Sequence, residues 1–201
     1  MELRGFEGAR RVPGHCLLEG KKQPVIVARF FNTVGPRQTG RYGMVLPNFV
    51  QRALKNEPIE VYGDGKQSRC FCDVRDTVEA ILRLLGNERA IGEVVNVGTD
   101  REISIEGLAH FVKQRARSES PVTFVPYDQA YEPGFEDMPR RVPSLEKLER
   151  LTGFRPMTSL EEIVDRVIGH LSDKREKNLA GQADASGTSG DRPFAAGYAA
   201  S

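Results

Sequence analysis

The chain of 201 residues has no tryptophan, only three cysteines and no apolar run near the roughly 20 residues that span a bilayer. Cys16, Cys70 and Cys72 are too few for a disulfide framework, and the Cys-x-Cys pair lacks a second pair of ligands for zinc. The first residues also lack the charged-then-apolar pattern of a secretory leader. A cytoplasmic protein of a reducing compartment, with no metal and no membrane contact, is the expectation. Charge of one sign is missing too. Twenty-nine Lys and Arg against 28 Asp and Glu leave a net +1, too small a field to attract nucleic acid.

Chemical signatures are equally scarce. No Gly-x-Gly-x-x-Gly or Gly-x-x-Gly-x-x-Gly is present to cradle a dinucleotide, and there is no Gly-x-Ser-x-Gly, His-Glu-x-x-His or phosphate-binding loop. His15, His110 and His170 lie far apart in sequence. The last two fall on expected helices, where packing or solvent contact is the commoner role. No catalytic, metal-ligating or cofactor-binding residue is therefore assigned.

Three zones differ in character. Residues 1–23 show no sustained period. Residues 24–171 alternate strand and helix signals. Residues 172–201 form a polar and then Ala-, Gly- and Ser-rich tail, too poor in large apolar groups to offset ordering entropy, and are expected to be disordered. A hydrophobic share of 39% overall, below the usual ~45–50%, agrees with an unpacked part.

The middle zone reads as α/β. Val25–Phe31 is an apolar run interrupted only by Arg29, the pattern of a strand buried on both faces. Pro47–Lys55 reads as a helix, Ile59–Tyr62 as a strand closed by the turn Gly63-Asp64-Gly65, and Gly92–Val97 and Val122–Val125 as strands. In Asp73–Leu85 the residues Val74, Val78, Ile81, Leu82 and Leu85 recur at helical spacing. Helices are also expected after Ser104, over Leu145–Leu151, and over Leu160–Leu171 entered at Ser159. At element ends stand an amide, Asn32, and the arginines Arg69, Arg140 and Arg141. A planar guanidinium fork on a loop suits a diphosphate, whereas the plainer reading of each is a solvated arginine or a surface ion pair.

Four segments, in order, carry a resemblance. Arg29-Phe30-Phe31-Asn32-Thr33-Val34-Gly35-Pro36, Val61-Tyr62-Gly63-Asp64-Gly65-Lys66-Gln67-Ser68-Arg69 followed by Asp76, Val94-Val95-Asn96-Val97-Gly98, and Arg141-Val142-Pro143 with Leu151-Thr152-Gly153-Phe154-Arg155-Pro156 resemble the motifs of extended short-chain dehydrogenases. Within these, the chain resembles NAD-dependent epimerases and dehydratases of nucleotide sugars, above all UDP-glucuronate decarboxylases, dTDP-glucose 4,6-dehydratases and UDP-sugar 4-epimerases. The resemblance runs from about residue 24 to 171. It implies a partial Rossmann-like fold: the C-terminal, substrate-binding lobe with an incomplete parallel sheet.

The same resemblance implies a UDP- or dTDP-sugar as ligand. Asn32 would lie by the diphosphate, Asn48 and Val61 would line the nucleotide pocket, and Arg69 and Arg141 would bind the diphosphate. It implies NAD in the intact family, not retained by this chain, and the family's common homodimer, left open here. Two departures stand out. Asp73 replaces a Tyr or His and puts a carboxylate near an anionic ligand. Ser144 replaces the Asp after the proline, where it is expected to cap the next helix.

The family's Tyr-x-x-x-Lys belongs just upstream of the Asn32 strand, with Tyr as general acid/base and Lys lowering its pKa and holding the cofactor ribose. Residues 1–23 contain no Tyr, and no Lys before Lys21. Back-translation of Met1–Lys21, read one base further on, spells Trp-Ser-Tyr-Ala-Val-Ser-Lys-Ala-Leu-Asp-Glu-Phe-Leu-Gly-Ile-Ala-Tyr-Trp-Lys-Gly. That string resembles the missing catalytic helix, and only the middle base of each shifted codon is free. Residues 1–23 thus read as an out-of-frame segment, the frame resuming at a purine run coding Gly20-Lys21-Lys22; a divergent N-terminus is the alternative. Two functions follow: a fragment of an NAD-dependent decarboxylase, dehydratase or epimerase, or a catalytically silent module that binds a sugar nucleotide or is completed by a partner.

Overall fold

In a computed structural model that describes residues 23–38, 44–127 and 138–186, the apolar run after Pro24 forms the first strand, β1 (Val27–Phe30). A short β2 (Thr33–Val34) follows. Next come helix α1 (Val45–Lys55) and strand β3 (Ile59–Tyr62), then β4 (Ser68–Cys70) and β5 (Cys72–Asp73). Helix α2 (Val74–Leu85) leads through a 3-10 turn to β6 (Val94–Val97), then β7 (Glu102–Ser104) and α3 (Ile105–Arg115). The rest is β8 (Val122–Val125), β9 (Arg140–Arg141), α4 (Glu146–Thr152) and α5 (Leu160–Ser186).

Strand pairing is mostly parallel and fragmentary among the described residues. β1 pairs with β6 alone, with Val27 opposite Val94 and Phe30 opposite Val97. β2 pairs with β5 and β3 with β8, both parallel, while β4 lies between antiparallel β7 and parallel β9. The α/β class and the incomplete parallel sheet are therefore as the sequence implies.

Two apolar cores divide the work. The larger joins α1, β3, α3 and α5 through Leu46, Phe49, Val50, Ile59, Leu108, Val112, Ile163 and Val164. The smaller joins α2, β6 and α4 through Ala80, Leu84, Val95, Val97 and Leu148. Ser104 caps α3 by accepting from the Gly107 N–H, and Ser159 accepts from the Glu162 N–H at the start of α5, as their positions predict.

Four expectations need correction. β1 is not buried on both faces: Arg29 and Phe30 are exposed, because the described residues do not cover both sides of the β1–β6 pair with a packed layer. In α2 the inward face is made of Thr77, Ala80 and Leu84, and Val74, Val78, Leu82 and Leu85 point away from the core. Residues 172–186 are not structureless, since α5 continues to Ser186; the rest of the expected tail lies outside the described residues. The Asp, Lys, Arg, Glu and Ala of residues 172–186 are good or adequate helix formers, and an existing helix propagates without needing an apolar face. Finally, Ser144 caps nothing: Leu145 occupies the cap position of α4 with no side-chain bond, and the Ser144 carbonyl instead accepts from the Asn96 amide. The proposed out-of-frame stretch lies almost wholly outside the described residues.

Candidate nucleotide-sugar site

Asn32 leaves β1 with φ at 41°, a left-handed conformation that asparagine tolerates better than most residues. Its Nδ2 donates to the Cys70 carbonyl at 2.8 Å, and its own carbonyl accepts from the Cys72 N–H at 3.1 Å. These bonds pin the end of β1 to the β4–β5 junction. A second fixed point is the turn after β3. Gly63 and Gly65 both have positive φ, and the Gln67 amide reaches back to donate to the Tyr62 carbonyl at 2.9 Å. The opposite end of that amide, Gln67 Oε1, is buried without a hydrogen-bond partner.

Between these points lies a cleft of ≈ 520 Å³, within the range of small-molecule sites. Asn32, Asn48, Arg69, Gln67, Arg52 and Tyr62 are among the residues that line it. Arg69 is held in place by donating from Nη1 to the carbonyls of Ser68 and Met138, each at 2.8 Å. Arg52 on α1 pairs with Glu60 on β3 at 2.9 Å. The wall thus offers amides, the Arg69 guanidinium and a phenol, groups that can donate to phosphate and hydroxyl oxygens, alongside the carboxylates of Glu57 and Glu60, the latter paired with Arg52.

Of the sequence-assigned residues, Asn32, Asn48 and Arg69 come together in this cleft. Val61 does not line it: its side chain is wholly buried in the larger core. Arg141 does not line it either. Strand register sets Arg141 beside Arg69, but its guanidinium lies over the Phe31 ring, 5.1 Å from the centroid. Arg140 is occupied by Glu102. Gln67 and Arg52 are additions. Gln67 stands inside the motif quoted above, and Arg52 follows Asn48 by one helical turn, so both were within reach of spacing arguments.

The carboxylate of Asp73 proves to be structural. It caps α2 by accepting from the Arg75 N–H at 2.7 Å, and it pairs with Arg75 and Arg166. Burial alone would raise its pKa, but the bonds from Arg75 and Arg166 outweigh that and hold it below the ordinary value. Its charge is neutralised by two guanidinium groups and does not stand open to an anionic ligand. Cys70 and Cys72 are buried free thiols, each pushed up to about 11, chiefly by desolvation. His110 is exposed and His170 half-buried; neither lines the cleft.

Residues 18–98, which run from before β1 to the end of β6, match the NAD dependent epimerase/dehydratase family. The chain belongs to this family. UDP-N-acetyl-alpha-D-glucosaminuronate decarboxylase of Bacillus cytotoxicus is 41% identical over 140 residues, which are 69% of this chain and 43% of that enzyme. UDP-glucuronic acid decarboxylase 1 of Xenopus tropicalis is 33% identical over 178 residues, 88% of this chain and 40% of that one. In fold, the chain superposes with a TM-score of 0.71 on UDP-glucuronic acid 4-epimerase from Bacillus cereus, solved with UDP-glucuronic acid and NAD; 80% of this chain and 49% of that one are covered, at 21% identity. The chain spans less than half the length of these relatives.

Neither β1 nor β6 leads into a cradle for NAD among the described residues. A dinucleotide needs a strand running through a glycine-rich turn into a helix N-terminus. Here β1 runs through Asn32 into β2, and β6 runs through Gly98 towards β7. At Gly98 a Cβ would meet Phe31 Cβ at 2.8 Å, so that glycine serves close packing and leaves no cradle for a pyrophosphate. No helix among the described residues is long and apolar enough to cross a membrane, and no group of three potential metal ligands occurs among them.

Proposed function

We propose that this chain is the nucleotide-sugar-binding part of an NAD-dependent epimerase/dehydratase, most like the UDP-glucuronate decarboxylases, and that it holds its ligand by the diphosphate without performing the redox step. One observation carries this reading. Asn32, Asn48 and Arg69, separated in sequence and each implied by the family resemblance, line a single cleft of suitable size. Arg69 supplies the cation and the two amides supply neutral donors around it. Val61 and Arg141 are dropped from the site. The kinship with decarboxylases of UDP-linked uronic acids favours UDP over other nucleotides.

Titration calorimetry with UDP and UDP-glucuronate tests this. Binding of both is expected, weakened about tenfold or more by Arg69→Lys, which keeps charge but loses the fork. Absence of UDP binding refutes the reading. On the same reading NAD is not retained, since the sequence shows no dinucleotide cradle and no Tyr-x-x-x-Lys upstream of the Asn32 strand; Tyr62 and Lys66 have that spacing but fall on a strand end and a turn. We further infer that residues 1–23 are translated out of frame. The family match begins at residue 18, so on this reading the out-of-frame part ends near there, beside the Gly20–Lys22 purine run where the frame resumes. Resequencing through the Lys21 codon decides it, and an unshifted gene without the hidden helix overturns it.

A further inference from the structure

Arg69 stands in β4, the middle strand of the sheet β7-β4-β9. Its Nη1 donates to two carbonyls, that of Ser68 on its own strand and that of Met138, two residues before β9. The direction in which the guanidinium meets the cleft therefore depends on where β9 lies. Little in β9 itself secures it. The strand is two residues long, and Met138, Pro139 and Arg140 are all exposed, so burial holds none of the three. The Ser68 N–H donates to the Pro139 carbonyl at 2.8 Å, and the register sets Ser68 beside Arg140 and Arg69 beside Arg141. A pairing of that length is marginal without further support.

One side chain ties all three strands together. Glu102 on β7 accepts from the Ser68 hydroxyl of β4 at 2.7 Å and from Arg140 Nε of β9 at 3.0 Å, while Arg140 Nη2 donates to its other oxygen. The bonds from Arg140 and Ser68 hold this carboxylate below its ordinary pKa. A guanidinium that grips both oxygens of a carboxylate fixes direction as well as distance. Arg140 is 68% exposed, and an ion pair so open to water contributes only about 0–1 kcal/mol to folding. Its effect is on geometry more than on stability.

We propose that Glu102 is a positioning residue for the nucleotide-sugar cleft. By tying β9 to β4 and β7 it fixes the Met138 carbonyl, and through that carbonyl it aims the Arg69 guanidinium. This rests on the reading above that Arg69 takes the diphosphate. Glu102 does not line the cleft, so its substitution removes no contact with the ligand. The sign of the effect is also informative. Removing a negative charge near an anion site strengthens anion binding by Coulomb attraction alone, whereas a misaimed Arg69 weakens it.

Glu102→Gln tests this, since it keeps the size and an acceptor for Ser68 but loses the ionic grip on Arg140. Expected are an unchanged urea midpoint, Ser68 N–H exchange with deuterium at least about fivefold faster, and UDP binding about fivefold weaker by calorimetry. In an Arg69→Lys background the same change is expected to have no further effect on UDP binding, because the fork that Glu102 aims is gone. Arg140→Gln, which breaks the pair from its exposed side, should speed Ser68 exchange equally. Unchanged Ser68 exchange in both variants, UDP binding as tight as or tighter than wild type in Glu102→Gln, or losses that multiply with Arg69→Lys would each overturn the proposal. Wild-type protein that binds no UDP refutes the ligand reading alone, and Ser68 exchange still decides whether Glu102 holds β9.

Discussion

Asp73 and Arg69 show how two charged residues, close in sequence, take opposite roles. Asp73 is closed in by Arg75 and Arg166 at the start of α2, whereas Arg69 is oriented by backbone carbonyls and borders the cleft. Replacing Asp73 by Asn keeps a cap acceptor and leaves Arg75 with Glu162, but takes the buried carboxylate away from Arg166 and Arg75, a loss of about 1–3 kcal/mol in denaturant unfolding. Because the folded pKa of Asp73 is depressed, its contribution is complete above the unfolded carboxyl value of about 3.9 and disappears as pH falls through the lower folded one. The wild-type protein should therefore lose more stability than Asp73→Asn on acidification below about pH 4. The thiols give a simpler check. With Cys16 replaced by Ser, neither Cys70 nor Cys72 should react with a disulfide reagent at pH 8 until the chain unfolds, since burial both blocks access and disfavours the thiolate.

At the scale of elements, α2 inverts the rule that the apolar side of a helix is the inner one. Its periodicity is strong, but small residues face β6 and α4, where Ala80 allows close approach and Leu84 fills the space beside Leu148. Leu84→Ala should cost about 2–5 kcal/mol, whereas Leu82→Gln should stay within about 0.5 kcal/mol for the isolated chain and raise its solubility. Thermal and urea unfolding separate the two. The opposite ranking would mean that the helix is packed the other way round. Helix α5 teaches a related lesson: Arg175 donates to the Leu54 carbonyl at the end of α1, so a charged residue beyond Leu171 still contributes a tertiary contact.

For the whole molecule, the two cores differ in completeness. The larger is enclosed by three helices and β3, whereas the smaller rests on a two-stranded sheet neither of whose outer edges pairs with another strand among the described residues. The purified chain should show no NAD absorbance after desalting and no conversion of UDP-glucuronate with added NAD. Detectable turnover would contradict the assignment of the redox groups to another half. Limited proteolysis should open the β1–β6–α2 part before the α1–α3–α5 part, because fewer buried apolar contacts hold it.

Much of this was readable from local pattern. The strands around Val27, Ile59, Val94 and Val122, the caps at Ser104 and Ser159, and the placing of Asn32 just past a strand depend on interactions within a few residues, and short stretches of sequence encode those directly; Arg69, expected on a loop, stands instead inside β4, paired with Ile103 and Arg141. Which side of α2 is covered, whether Val61 and Arg141 reach the ligand cleft, and whether Asp73 is charged and closed or charged and open depend on neighbours tens of residues away. Periodicity reports that a face is apolar; only the packed neighbours decide whether anything lies against it, and here Val78, Leu82 and Leu85 of α2 stay exposed among the described residues.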